Sequence, residues 1–353
     1  MWSDWLLLVV GLALLIFGAQ VLVQGAANLA LRLNVTPLVV GLTVVAFGTS
    51  SPELAVSVRS ALEGQAALSL GNVVGSNIFN VLVVLGASAL ITPLAVEARL
   101  VRFDVPLMIG VSVAVLLLAL DGSLSRVEGG VLVAAGIAYT ALLYRQGRRG
   151  EDADVDLPVA RGGIWLALLY VVLGLALLGL GARWLVDSAT DLARAFGVSE
   201  LIIGLTIVAA GTSLPEVATS VVASLRGERD MAVGNVVGSN VFNVLWVLGA
   251  AGLFSSSGIA IDAEVLRFDL VVMIAVAVAC LPVFFSGYQI ERWEGAFFLV
   301  LYVGYLAVLV ASAVRDDLSA DLRMALLGFG LPLSALTLAV LTWRSRAGVR
   351  PSS

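Results

Sequence analysis

The 353-residue chain has no histidine, no lysine and a single cysteine. Without imidazole, proton-linked or metal chemistry has to run through carboxylates and neutral oxygen groups. One thiol, Cys280, excludes an internal disulfide, and its place in the apolar run from Val271 to Val283 reads as a small buried hydrophobe. Charge is scarce as well. Only 13% of residues are charged against 60% hydrophobic, and the mean hydropathy is +1.05, which excludes an ordinary soluble globular protein. The net charge of −5 comes with twenty arginines scattered singly between apolar blocks, so no basic stripe exists to follow phosphates and nucleic-acid binding is excluded. The start, Met1-Trp2-Ser3-Asp4, lacks a basic n-region and leads into an apolar run longer than an h-region, so a retained span is expected and not a cleaved signal peptide.

Taking about 20 apolar residues as the length that crosses a hydrocarbon core, spans are expected near 5–27, 37–62, 66–91, 103–120 and 128–145, and again near 164–186, 200–224, 231–253, 266–285 and 294–314. Between the sets, residues 145–163 carry Arg148, Arg149, Glu151, Asp152, Asp154 and Asp156, the one strongly polar interior segment and the natural linker.

The two sets are copies. Gly48-Thr49-Ser50-Ser51-Pro52-Glu53-Leu54-Ala55 returns 163 positions later as Gly211-Thr212-Ser213-Leu214-Pro215-Glu216-Val217-Ala218. At the same offset, Gly71-Asn72-Val73-Val74-Gly75-Ser76-Asn77-Ile78-Phe79-Asn80 matches Gly234-Asn235-Val236-Val237-Gly238-Ser239-Asn240-Val241-Phe242-Asn243. Five spans per copy is an odd number, so the second copy must enter the membrane from the opposite side. The expected fold is therefore an all-α polytopic membrane protein of two inverted five-helix repeats, a ten-helix core. The first repeat covers 1–146, a polar linker 147–163 and the second repeat 164–315; residues 316–353 hold an extra eleventh helix near 322–343 and a basic tail. Arginine placement favours an external amino terminus and a cytoplasmic carboxyl terminus. That orientation puts Arg32, Arg99, Arg102, Arg145, Arg148, Arg149, Arg161, Arg226, Arg229 and Arg292 and the tail Arg344, Arg346 and Arg350 inside, against Arg59, Arg126, Arg183, Arg194, Arg267, Arg315 and Arg323 outside.

Glu53 and Glu216 each sit in an apolar span, where a carboxylate needs a cation, a proton or a water-filled cavity. Pro52 and Pro215 remove a backbone donor, and Gly48 and Gly211 permit unwinding, so each helix should break there and free carbonyls such as those of Ala46 and Ala209. Thr49 and Ser50 fall four and three residues before Glu53, and Thr212 and Ser213 repeat this before Glu216, which places hydroxyls on the carboxylate's face. Ser76 with Asn80, and Ser239 with Asn243, share faces of the next spans. The two serines suit interhelical hydrogen bonds as well as they suit ligation, Asn72 and Asn235 read as interhelical contacts, and the asparagines Asn80 and Asn243 fall between. An all-oxygen set fits hard cations, Ca²⁺ first and Na⁺ with the same oxygens, and argues against zinc or copper. Asp104 and Asp269, each after Arg-Phe at the start of a span, read as helix-capping groups, and Asp187 and Glu200 as solvated residues beside a polar loop from Ser188 to Ser199.

The paired Gly-Thr-Ser-x-Pro-Glu and Gly-Asn-Val-Val-Gly-Ser-Asn-x-Phe-Asn motifs resemble the α-repeats of the cation/Ca²⁺ antiporter superfamily, in its prokaryotic sodium/calcium exchanger branch. The resemblance covers about the first 314 residues. It implies a core in which the first and sixth helices slide across the remaining bundle, with Ca²⁺ and Na⁺ as transported substrates and no prosthetic group. It also implies an ion-ligand set of Ala46 (carbonyl), Thr49, Ser50, Glu53, Ser76 and Asn80, with Ala209 (carbonyl), Thr212, Ser213, Glu216, Ser239 and Asn243. Some relatives carry aspartate where this chain has Asn243, which weakens an expectation of K⁺ co-transport. The bilayer is the expected surrounding, a prokaryotic cytoplasmic membrane, and the oligomeric state stays open. The competing readings are Ca²⁺/H⁺ antiport on the same glutamates, a channel, and an intramembrane hydrolase with a Glu53–Glu216 dyad. The near-identical surroundings of the two glutamates suit alternating access and do not suit an acid and a base.

Overall fold

A computed structural model describes residues 2–146, 163–197, 207, 209–285 and 287–314. The linker from 147 to 162, the start of the seventh expected span and the eleventh helix lie outside the described residues. Among the described residues, eight helices are long and apolar enough to cross a membrane, and a bent pair makes a ninth. They are α1 (Trp2–Leu33), the pair α2 (Pro37–Thr49) and α3 (Ser51–Leu62), α4 (Ala66–Ile91), α5 (Leu100–Asp121) and α6 (Arg126–Gln146). The second half supplies α7 (Ile164–Ala195), the shorter α8 (Leu214–Leu225), α9 (Arg229–Phe254), α10 (Val265–Phe285) and α11 (Arg292–Val314). Helix α8 begins and ends 163 residues after α3, as the repeated motif requires.

Two short strand pairs fix the relation between the halves. Leu94–Ala95, between α4 and α5, pairs antiparallel with Gln289–Ile290, between α10 and α11. Ser123–Leu124, between α5 and α6, pairs with Ile259–Ala260, between α9 and α10. The loop before α5 thus meets the loop after its counterpart α10, and the reverse holds at the other end. The two halves are therefore antiparallel in space, which is the geometry of an inverted duplication. Arginines reinforce the exchange: Arg126 Nε donates to Leu253 O (3.2 Å) and Arg292 Nη2 to Ile91 O (3.4 Å), each covering a carbonyl near the end of the other half's central helix.

Helices α4 and α9 are the most buried of the spans and form the middle of the bundle. Helices α1 and α7 lie together to one side. Both have 32 residues, about 48 Å at 1.5 Å per residue, so they exceed the ~30 Å hydrocarbon thickness and must tilt. Both run well past the expected ends near 27 and 186. In particular, the expected polar loop after Asp187 is helix as far as Ala195, with Ser188 and Thr190 buried. In the segment Asp191-Leu192-Ala193-Arg194-Ala195 the last four residues are good helix formers and Asp191 joins Arg194 in an i,i+3 ion pair, which outweighs its polarity. Glycines at seven-residue spacing, Gly11 and Gly18 facing Gly181 and Gly174 and Gly25 facing Ala167 and Val171, bring the two backbones into contact; a Cβ at Gly174 would lie 2.6 Å from Leu22 N. The outward faces carry large apolar side chains such as Leu6, Phe17, Val131, Trp165 and Val300, as a lipid-facing surface requires.

Candidate cation-binding site

The break between α2 and α3 falls at one residue, Ser50 (φ −83°, ψ 7°), and its counterpart before α8 falls at Ser213 (φ −91°, ψ 8°). Pro52 and Pro215 occupy the first turns of α3 and α8, where their missing N–H groups cost nothing, so the chain restarts its helix there with a bend of 46° in the first half. Glu53 and Glu216 also fall in those first turns, at the positive end of the helix dipole. The expected freeing of the Ala46 carbonyl does not occur through the break itself. Ser50 N still donates to Ala46 O at 3.0 Å, because proline deprives the carbonyl four residues before it, Gly48, and not Ala46. A second lone pair on Ala46 O is all that remains for a ligand. Ala209 opens the short turn Ala209–Gly211 in the matching place.

Both glutamates are fully buried, and the serines cross between the halves to reach them. Ser50 Oγ donates to Glu216 Oε1 at 3.1 Å, and Ser213 Oγ donates to Glu53 Oε1 at 3.2 Å. Sequence spacing had each serine serving the glutamate of its own helix. The sharp turn at the serine rotates its hydroxyl away from that face and across the pseudo-two-fold axis. Each carboxylate then keeps one oxygen, Glu53 Oε2 and Glu216 Oε2, buried without a hydrogen-bond partner.

A set of neutral oxygens on α4, on α9 and in the turn before α8 is in the same condition. Ser76 Oγ, Ser239 Oγ, Thr212 Oγ1, Asn80 Oδ1 and Asn243 Oδ1 are buried and without a partner. Native interiors contain few such groups, and neutral oxygen is a donor type that hard cations take. Asn80 and Asn243 each open a π turn, Asn80–Leu85 and Asn243–Leu248, which interrupts α4 and α9 and aims the amide inward. No residue-level signal in the sequence marks those turns. Among the described residues no group of three or more acidic, thiol or imidazole side chains comes together. A cavity of about 420 Å³ reaches Ser76, with Gly71, Asn72, Gly75, Asp269 and Tyr302 in its wall. Another of about 440 Å³, walled by Leu42, Phe47, Val171 and Trp246 among others, is apolar and touches none of the candidate ligands.

Several other polar residues have structural partners. Asn72 Nδ2 donates to Ser57 Oγ (3.0 Å) and Glu53 O (3.3 Å), which ties α4 to α3 as expected. Asn235 Nδ2 donates to Ser220 Oγ (2.9 Å), tying α9 to α8, while Asn235 Oδ1 accepts from Thr49 Oγ1 (3.2 Å). Val45 O (3.1 Å) and Ala46 O (3.4 Å) lie within reach of the same single Thr49 proton, and whichever takes it, the hydroxyl oxygen keeps lone pairs. Asp104 is not the capping group expected: it makes no helix-cap hydrogen bond, is fully buried at the end of a π turn, accepts from Tyr139 OH (3.1 Å) and pairs with Arg99 Nε (3.3 Å). Asp269 likewise accepts from Tyr305 OH at 2.9 Å. The partner tyrosines lie some 35 residues further along, in α6 and α11, which no local pattern announces.

A family model described as sodium/calcium exchanger protein matches residues 3–145 and 166–311. The putative antiporter CaxA of Alkalimonas amylolytica is 40% identical over 312 residues, covering 86% of this chain and 97% of the relative. Sodium/calcium exchanger MaX1 of Methanosarcina acetivorans is 34% identical over 345 residues, covering 87% and 98%. Inner membrane protein YrbG of Escherichia coli is 37% identical over 281 residues, covering 77% and 86%. Among solved structures, the sodium-calcium exchanger NCX_Mj soaked with zero Na⁺ and Ca²⁺ superposes with a TM-score of 0.76 at 30% identity, covering 87% of this chain and 98% of that one.

Proposed function

We propose, for a chain that belongs to the sodium/calcium exchanger family, that it exchanges Na⁺ for Ca²⁺ by alternating access at a site built on Glu53 and Glu216. At the level the family itself supplies, the protein is a multi-pass membrane cation/Ca²⁺ antiporter and not an enzyme, with Ca²⁺ and Na⁺ as substrates and no prosthetic group. The observation that carries the finer reading is the crossed pair of serine–glutamate hydrogen bonds, which leaves one unpartnered oxygen on each buried carboxylate.

Charge counting turns this geometry into exchange. Two ionised glutamates carry −2, which one Ca²⁺ cancels and which takes more than one Na⁺ to cancel. An unfilled site would carry uncompensated charge through a low-dielectric barrier, at a cost of at least several kcal/mol, so the empty transition is suppressed and each ion must be replaced by the other. The ligands in this reading are Thr49, Ser50, Glu53, Ser76, Asn80 and the Ala46 carbonyl, with Thr212, Ser213, Glu216, Ser239, Asn243 and the Ala209 carbonyl. The repeats, 1–146 and 164–315, act as the two halves of the device. The amino terminus is outside, following the arginine distribution, and the membrane is the cytoplasmic one, in keeping with the Escherichia coli relative.

Purified protein in liposomes, with Na⁺ and pH gradients imposed separately, tests this reading. Uptake of labelled Ca²⁺ is expected only into Na⁺-loaded vesicles, and it should stop when internal Na⁺ is replaced by choline. Uptake driven by a pH gradient with no Na⁺ present would replace Na⁺ by H⁺ as the coupling ion, and uptake needing no exchangeable ion would overturn antiport.

A further inference from the structure

Next to the candidate ligands lies a second layer of asparagines, Asn77 on α4 and Asn240 on α9, both buried. Asn77 Nδ2 donates to Asn240 O (3.2 Å) and faces Met273 Sδ (3.7 Å). A carbonyl oxygen and a thioether sulfur are acceptors only, so these contacts dictate which end of the Asn77 amide is nitrogen. Its oxygen is thereby aimed the other way, where it accepts from Asn243 Nδ2 at 3.1 Å. That bond in turn consumes the nitrogen end of Asn243 and leaves Asn243 Oδ1 buried without a partner.

An asparagine at a cation site presents either an oxygen or an NH₂ group, and only the oxygen binds. Some neighbour has to choose. Resting on the cation-site reading above, we propose that Asn77 is a positioning residue that fixes the amide of Asn243 with its oxygen toward the bound ion. The mirror position differs in this structure. Asn240 Nδ2 faces Met108 Sδ (3.5 Å), while Asn240 Oδ1 and both polar atoms of Asn80 have no partner, so the orientation of Asn80 is not imposed in the same way. The four residues fall in the two copies of one motif, yet only one copy has the relay closed. Asn77 and Asn240 therefore make matched amide–thioether contacts and differ in the hydrogen bond to the ligand.

A double-substitution experiment on the full chain separates positioning from packing. Asn77→Ala should raise the Ca²⁺ concentration for half-maximal exchange by about tenfold, the loss of one oriented hydrogen bond beside a charge, with the maximal rate changed less. In an Asn243→Asp background both side-chain ends are oxygen, so no orientation is needed, and Asn77→Ala should not raise the half-saturation further. Asn240→Ala, which removes the matched methionine contact without touching Asn243, should have a smaller effect than Asn77→Ala. An equal rise from Asn77→Ala in both backgrounds, or no rise in either, would overturn the positioning role. Glu53→Gln and Glu216→Gln run alongside: retained Ca²⁺ transport in those variants removes the cation-site reading itself, whereas their inactivity with equal Asn77→Ala effects removes only the positioning role.

Discussion

Serine-50 and serine-213 allow the crossed geometry to be tested against the simpler one in which each serves its own helix. Ser50 Oγ stands 3.1 Å from Glu216 Oε1 and Ser213 Oγ 3.2 Å from Glu53 Oε1, with all four residues fully buried. A hydrogen bond to a charged group contributes about 1.5–3 kcal/mol when the partner cannot turn to water, which is roughly ten- to 150-fold in a binding constant. Ser50→Ala is expected to weaken Ca²⁺ binding by an amount in that range, measured by labelled-Ca²⁺ binding to purified protein. Glu216→Asp pulls its carboxylate back by one methylene and breaks the same bond. Ser50→Ala should therefore cost little more in the Glu216→Asp background but keep its full cost in the Glu53→Asp background. Ser213→Ala should show the reverse pairing. Coupling of Ser50 to Glu53, or equal cost in both backgrounds, would refute the crossed arrangement.

Packing and support residues give further expectations. Gly174→Val places side-chain atoms where a Cβ alone would be 2.6 Å from Leu22 N, so it should destabilise the protein by about 1–3 kcal/mol. Gly179→Ala, with nothing within 4 Å of its Cβ position, should be neutral or stabilising; thermal unfolding in detergent reads both, and equal midpoints would contradict the close α1–α7 contact. Tyr139→Phe leaves the buried Asp104 with Arg99 alone and should cost about 1–3 kcal/mol of stability while leaving Ca²⁺ affinity unchanged; a collapse in affinity would bring Asp104 into the ion pathway. Saturating Ca²⁺ at about 100 times its dissociation constant should stabilise the wild type by roughly 2.7 kcal/mol, seen as a raised midpoint, and Glu216→Gln should lose that shift.

Much of this was legible because the chain repeats itself. The 163-residue offset announces the two halves, their odd span count predicts the inversion that the Leu94–Ile290 and Leu124–Ile259 strand pairings display, and a carboxylate between glycine and proline in an apolar run marks the site. What stayed hidden depends on rotation about a helix axis. One non-helical residue at Ser50 sends its hydroxyl to the other half, and the π turn at Asn80 shifts an amide by a fraction of a turn; neither has a residue type that compels it. Proline marks the break in the sequence, but the carbonyl it deprives is that of Gly48, and Ala46 keeps its bond to Ser50 N. Asp104 makes no cap bond, and its tyrosine partner, like that of Asp269, is a contact of tertiary structure that sequence adjacency to Arg-Phe does not reveal. The extended ends of α1 and α7 show the same limit: amphipathic helix can continue beyond the apolar length that a bilayer requires.

The central claim is that one buried carboxylate from each half meets the other and takes both ions in turn. Exchange of labelled Ca²⁺ in Na⁺-loaded proteoliposomes, compared for the wild type, Glu53→Gln and Glu216→Gln at equal reconstituted amounts, tests it most directly. Both variants are expected to be monodisperse, folded and without Ca²⁺ movement. Undiminished exchange by either one, with its folding intact, would contradict the account.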